Sequence, residues 1–237
     1  MFFKFKKIIN FFLDLLFPIE CIGCQKENIW LCEKCLKKIN LNLKNFCPIC
    51  RKPARMGCIC QKCLSHSPFK NIFIVSFYKE KIIKQAIHTF KYKHIRDLAK
   101  PFGEIIINFL YQSKTNLLFD NSYFLIPVPL HRKRLFERGF NQSELLAQII
   151  AQQLGISTIN NILKRKQNTK SQTKLKEKER RKNIKNAFIC LHPENIKNKN
   201  IILLDDILTT GSTLREAARV LKKAGAREII GLVLAKG

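Results

Sequence analysis

The chain has 237 residues, 46% of them hydrophobic, and its 44 lysines and arginines face 17 acidic residues for a net charge of +27. That apolar content excludes a disordered chain, and the length suffices for one domain with a sizeable core plus an appendage. The charge points to a polyanionic partner, nucleic acid or a membrane surface. Codon bias explains lysine over arginine but not the excess of base over acid.

Residues 1–17, MFFKFKKIINFFLDLLF, join early lysines to an apolar stretch. Asp14 interrupts that stretch and no small-residue cleavage site follows, so it reads neither as a signal peptide nor as a membrane span. Lys4, Lys7, Asn10 and Asp14 recur near one stripe of a helix. The pattern predicts an amphipathic helix ended by Pro18, packed on its own domain or attached peripherally to a membrane.

Residues 18–68 carry four C-x-x-C knuckles: Cys21 with Cys24, Cys32 with Cys35, Cys47 with Cys50, and Cys60 with Cys63. Two thiolates two residues apart on a tight turn hold half of a tetrahedral zinc site, so four knuckles make two structural Zn²⁺ centres. Disulfides between such close neighbours would be strained. Sequential pairing puts the first four cysteines on one metal and the last four on the other; a cross-brace would pair alternate knuckles. Gly23 fits the turn a knuckle needs, Cys58 could replace Cys60, and Cys190 reads as a buried small hydrophobe. The module ends near residues 65–70, where Ser, Pro and Lys cluster.

From residue 69 to 237, short apolar runs alternate with helical patterns. Strands are predicted at 72–78, 124–128, 201–204 and 229–234, and helices at 81–90, 98–111 and 144–154. That alternation predicts an α/β domain with a largely parallel sheet and flanking helices. The run Phe90-Lys91-Tyr92-Lys93 interleaves aromatic and basic residues, as a single-strand groove or an amphipathic helix end would.

Two basic segments follow. Residues 127–142, PVPLHRKRLFERGFNQ, leave a buried strand through a Pro-flanked turn and deliver Arg132, Arg134 and Arg138, whose forks suit phosphate oxygens. Residues 164–186 are long, basic and nearly free of apolar side chains, which predicts weak order or a closing lid.

The most informative run is IILLDDILTTGST, residues 201–213. A buried strand meets the pair Asp205 and Asp206, then the turn Thr209-Thr210-Gly211-Ser212-Thr213, then an amphipathic helix. Small residues at a helix N-terminus let several N–H groups point at one anion, and the hydroxyls add donors. The acids suit the vicinal hydroxyls of a ribose. A phosphate cradle beside a diol clamp is a ribose-5-phosphate site.

This run resembles the phosphoribosyl-pyrophosphate (PRPP) motif of type I phosphoribosyltransferases. With the four knuckles, the PVPL turn leading to ERGFNQ, and the QTKLKEKERRKNIKNAF segment, the chain resembles the ComF family of competence-associated proteins from Leu13 onward. The resemblance implies a phosphoribosyltransferase-like domain over 69–237 and a double zinc ribbon over 18–68, after the helix that the residue pattern predicts over 1–17. It carries zinc ligation to the eight knuckle cysteines and PRPP binding to Asp205, Asp206, Thr209, Thr210, Gly211, Ser212 and Thr213, with Mg²⁺ accompanying PRPP. The RGFNQ box maps onto Arg138 to Gln142, and the lid onto Thr169, Gln172, Arg181 and Asn183. The family is implicated in natural transformation, with single-stranded DNA handled in the cytoplasm at the inner face of the membrane beside a helicase-like partner.

Three functions compete. The chain is a PRPP-binding DNA-uptake factor, an active phosphoribosyltransferase with an unidentified nitrogen acceptor, or a zinc-ribbon nucleic-acid binder with a structural α/β domain. Thr209 stands where hypoxanthine-guanine members carry an acid, which speaks against purine salvage.

Overall fold

A computed structural model describes residues 18–167 and 184–237. The expected amphipathic helix at 1–17 and the lid residues Thr169, Gln172, Arg181 and Asn183 lie outside the described residues.

The centre is a five-stranded sheet built from β1 (Asn71–Phe77), β2 (Tyr123–Pro127), β3 (Ser157–Thr158), β6 (Asn200–Leu208) and β7 (Glu228–Lys236), in the order β1-β7-β6-β2-β3. Every neighbouring pair in it is parallel. A parallel sheet is covered on both faces, and the side chains divide by strand period. Phe73, Val75, Leu125, Ile202, Leu204 and Leu232 pack under α3 (Lys81–Tyr92), α4 (Ala99–Gln112) and α6 (Gln142–Leu154). Ile72, Ile74, Ile126, Ile201, Leu203 and Val233 pack under α7 (Ser212–Lys223) and a two-stranded antiparallel ribbon of β4 (Leu163–Arg165) and β5 (Phe188–Cys190).

The cysteine-rich segment, with its one-turn helices α1 (Glu33–Leu36) and α2 (Gln61–Leu64), lies against the edge strand β1. Asn42 N–H donates to Val75 O at 2.8 Å, and Asn42 Nδ2 to Ile74 O at 3.0 Å. Ile72 N–H donates to Gly57 O at 2.8 Å, and Cys58 bridges Asn71. An open strand edge invites pairing with other chains; here the zinc module occupies it. Its first half joins one face of the core through Cys21, Leu31 and Cys35, its second joins the other through Cys47 and Ile59.

Strand β6 runs to Leu208, not Leu204, because parallel pairing to β7 continues to Leu208–Lys236. Both acids are therefore strand residues. The Arg-rich segment, for which no helix is predicted from the sequence, forms the helix α5 (Arg132–Arg138), with His131 Nδ1 accepting from Lys133 N–H and Gly139 closing it at φ 70°. After β2 the chain passes outward to β3; after β6 it passes the other way to β7. The crevice beyond the carboxyl ends of β2 and β6 is thus a topological switch point, where open α/β sheets take ligands.

Candidate functional site

The eight knuckle cysteines form two clusters in sequential pairing: Cys21, Cys24, Cys32 and Cys35, then Cys47, Cys50, Cys60 and Cys63. Within each the sulfurs lie within 4.8 Å of one another. The Cys24–Cys32 and Cys50–Cys60 sulfurs are 3.6 and 3.5 Å apart, near the roughly 3.8 Å that tetrahedral zinc imposes. The donor sets fit structural zinc.

Burial opposes charge on Cys21 and Cys47, yet backbone N–H groups outweigh it and bring both thiols down to about 6. Cys35 and Cys63 are pushed up to about 12, by burial first and then by their neighbouring thiols. A cluster of four thiolates thus needs a cation. The turns use Gln25 and Arg51 at φ 63° and 64°, while Gly23 is needed for space: a Cβ there would sit 2.6 Å from the Cys35 sulfur. Cys58 stays outside the clusters and accepts from Asn71 Nδ2 at 3.4 Å. Cys190 is half-buried in β5 rather than fully buried.

At the switch point lies a cleft of about 230 Å³, lined among others by Asp205, Asp206, Thr209, Thr213, Arg134 and Arg138. Adjacent on a strand, the two acids leave opposite faces of the pleat. Asp206 is buried and its Oδ2 meets Lys91 Nζ at 2.7 Å. Asp205 Oδ1 accepts from Asp206 N–H at 2.9 Å and from Ser143 Oγ at 3.4 Å. Burial, then the Asp206 charge, push the Asp205 carboxyl up to about 7 against the pull of Lys91 and Arg165.

Beyond the acids, Gly211 takes φ 76° and caps α7. Thr210 Oγ1 and Ser212 Oγ lie 2.8 Å apart, and Ser212 N–H points at Thr210 Oγ1 at 3.4 Å. The first N–H groups of α7 open on this turn, which suits a phosphate.

Opposite stand cations. Burial, then Arg138, hold Arg134 below its ordinary pKa. Arg165 of β4 is buried over the Phe188 ring at 5.5 Å, and burial followed by Arg134 bring it down to about 10. Clustered arginines that depress one another favour an anion between them.

The RGFNQ box resolves residue by residue. Arg138 lines the cleft, lies over the Tyr92 ring at 5.5 Å and donates to Gln142 Oε1 at 3.0 Å. Gly139 turns the chain, and Phe140 packs on Phe90 at 5.3 Å. Asn141 caps α6 by accepting from Ser143 N–H and ties it to β2 by donating to Val128 O at 3.2 Å. Gln142 is 1% exposed, and its Nε2 has no hydrogen-bond partner among the described residues, a buried donor beside the cleft.

The structure therefore gathers Asp205, Asp206, Thr209, Thr213, Arg134 and Arg138 around one space, with Thr210, Gly211 and Ser212 completing the adjoining turn. Arg132 does not reach it and lines a separate groove. Sequence reasoning missed Tyr78, His88, Lys91, Ser143 and Arg165, which the turn after β1, α3, α6 and β4 bring in. Lys91 and Tyr92 stand inside the run read as a single-strand groove or an amphipathic helix end, and Phe90 of that run is fully buried against Phe102. The run is a helix end with one core face.

Comparison with known proteins fits this architecture. Residues 12–64 match the double zinc ribbon domain family and residues 141–237 the phosphoribosyl transferase domain family. The chain is 32% identical over 222 residues to competence protein F of Haemophilus influenzae, covering 90% of this chain and 95% of that protein. It is 28% identical over 201 residues to the DNA utilization protein YhgH of Salmonella typhimurium, with 84% and 87% covered. Competence protein ComFC of Bacillus subtilis is 27% identical over 202 residues, with 82% and 79% covered. The fold and cleft define a phosphoribosyltransferase-type α/β domain whose edge strand carries a double zinc ribbon. Among chains of that class, this one belongs to the competence protein F (ComF) family. Among the described residues, no helix is long and apolar enough to cross a membrane.

Proposed function

We propose that this chain binds PRPP in the cleft beyond β2 and β6 and serves the handling of single-stranded DNA in natural transformation, at the inner face of the cytoplasmic membrane. The observation that carries the reading is the placement of Asp205, Asp206 and the 209–213 turn at the switch point, opposite Arg134, Arg138 and Arg165. The 5-phosphate would rest on the turn, the ribose hydroxyls on the acids, and the pyrophosphate among the arginines, with Mg²⁺ neutralising its remaining charge. Zinc would hold the ribbon of the second of three parts, 1–17, 18–68 and 69–237. The DNA-handling half of the reading rests on the competence relatives and on the +27 net charge.

Calorimetric titration of PRPP, with and without Mg²⁺, tests it. Binding in the micromolar to millimolar range is expected, about −4 to −8 kcal/mol. Asp205→Ala combined with Asp206→Ala should abolish it in a folded protein; undiminished binding would show that the ribose lies elsewhere. Release of pyrophosphate with a nitrogen acceptor would distinguish a working transferase from a PRPP-binding factor.

A further inference from the structure

Helix α5 has two working faces. At roughly 100° per residue, Arg134 and Arg138 share one side, and both line the cleft. Arg132, Leu135 and Phe136, at i, i+3 and i+4, share the other. Arg132 and Leu135 line a second depression, of about 640 Å³. Strand β4 and the residue after it supply Lys164, Arg165 and Lys166 to the same depression, where Glu144 is the one carboxylate among the described residues. On the helix face beside it stands Phe136, 91% exposed. Isolated apolar residues on a surface are ordinary. A bare aromatic ring flanked by Arg132 and Lys133, at the rim of a trough lined by three further cations, is a different pattern. It pairs a stacking platform with a track for phosphates.

We propose that this trough, formed by α5 and β4, seats single-stranded nucleic acid, with phosphates along Arg132, Lys164 and Lys166 and a base stacked on Phe136. The inference rests on the DNA-handling reading above and gives it a surface. An acidic peptide would satisfy the cations but leave the ring unused, so the nucleic acid is favoured. Pro129, Leu130 and Arg165 line both the trough and the PRPP cleft. A strand seated there lies against the wall of the phosphoribosyl site, and α5 presents arginines to both.

The test uses the full chain and two labelled oligomers of about 20 units, oligo-dT and an abasic strand of equal length, read by fluorescence anisotropy. Phe136→Ala should weaken oligo-dT binding about ten-fold, as loss of one stacked base predicts. It should leave the abasic strand unaffected, and Phe136→Trp should restore oligo-dT binding. Arg132→Ala with Lys164→Ala should weaken both strands and lower the salt slope by about one per lost phosphate contact. PRPP affinity should not change in Phe136→Ala, since the ring lies outside the cleft lining. Unchanged oligo-dT binding by Phe136→Ala, or equal loss for both strands, would overturn the stacking surface alone. Polyglutamate displacing oligo-dT as well as free oligo-dT does would overturn it in favour of an acidic peptide. Failure of the wild-type chain to bind oligo-dT at low salt would overturn this inference and the DNA half of the proposed function, while PRPP binding would stand or fall on its own titration.

Discussion

Replacing Asp205 with Asn should make the ligand-free protein more stable, by an amount that depends on pH. Burial and the neighbouring Asp206 charge raise the Asp205 carboxyl from 3.8 to about 7. The shift of about three units, at about 1.36 kcal/mol each, puts the cost of ionising it in the folded state near 4 kcal/mol. An Asn oxygen can still accept from Asp206 N–H and Ser143 Oγ, but its amide needs a new acceptor, which costs about 1 kcal/mol. The expected net gain is about 3 kcal/mol. Its sign follows from the raised pKa. Below the unfolded value both states hold the proton, and Asn brings no gain. As pH rises towards 7 only the folded state keeps it, so wild-type stability falls; above 7 the whole penalty stands. Urea unfolding of both proteins at pH 4, 6 and 8 measures this. The gain should grow from pH 4 to 8 while PRPP binding is lost, a trade of function for stability. A gain independent of pH, or largest at pH 4, would refute the reasoning.

Metal analysis of the reduced, folded protein should find two zinc ions per chain, one per cysteine cluster. Gly57→Ala should destabilise by several kcal/mol, seen as a lower urea midpoint, because Gly57 sits at φ 71° and a Cβ would meet the buried Phe73 ring at 2.2 Å. Removing zinc with a chelator should uncover the β1 edge and produce larger species on size exclusion than the zinc-loaded chain shows; an unchanged elution volume would argue against that edge role.

The parallel sheet and its main helices were legible because buried strands and amphipathic helices impose distinct periods on the sequence. Strands at 124–128 and 229–234 were read within a residue or two of β2 and β7. The reading of β6 stopped at Leu204 because two carboxylates look like a strand's end. Pairing with β7 carries the strand through them, so that burial, not exposure, sets the chemistry of Asp205. The Arg-rich stretch concealed a helix because it spans only seven residues and its charges fall on both faces; α5 has cleft-lining arginines on one side and Arg132 with an exposed ring on the other. Lys91 could not be assigned from sequence at all. Its partner Asp206 lies far along the chain, and only the crossing of α3 over β6 brings them to 2.7 Å.

The zinc clusters are not a detachable appendage to the cleft. Lys236, near the end of β7, donates to Pro48 O at 2.8 Å, inside the knuckle that holds Cys47 and Cys50. Burial, then the Arg51 charge, lower its pKa, so its ammonium is held by that carbonyl at a desolvation cost. The next residue, Gly237, donates its N–H to Leu208 O at 3.0 Å and lines the cleft beside Thr209. On the other face, Ile82 of α3 approaches the Gly23 turn of the first cluster, and the same helix carries Lys91 to Asp206. One knuckle of each cluster is thus one contact from an element that delivers a cleft residue. The edge strand, the knuckles and the cleft are positioned by one continuous packing.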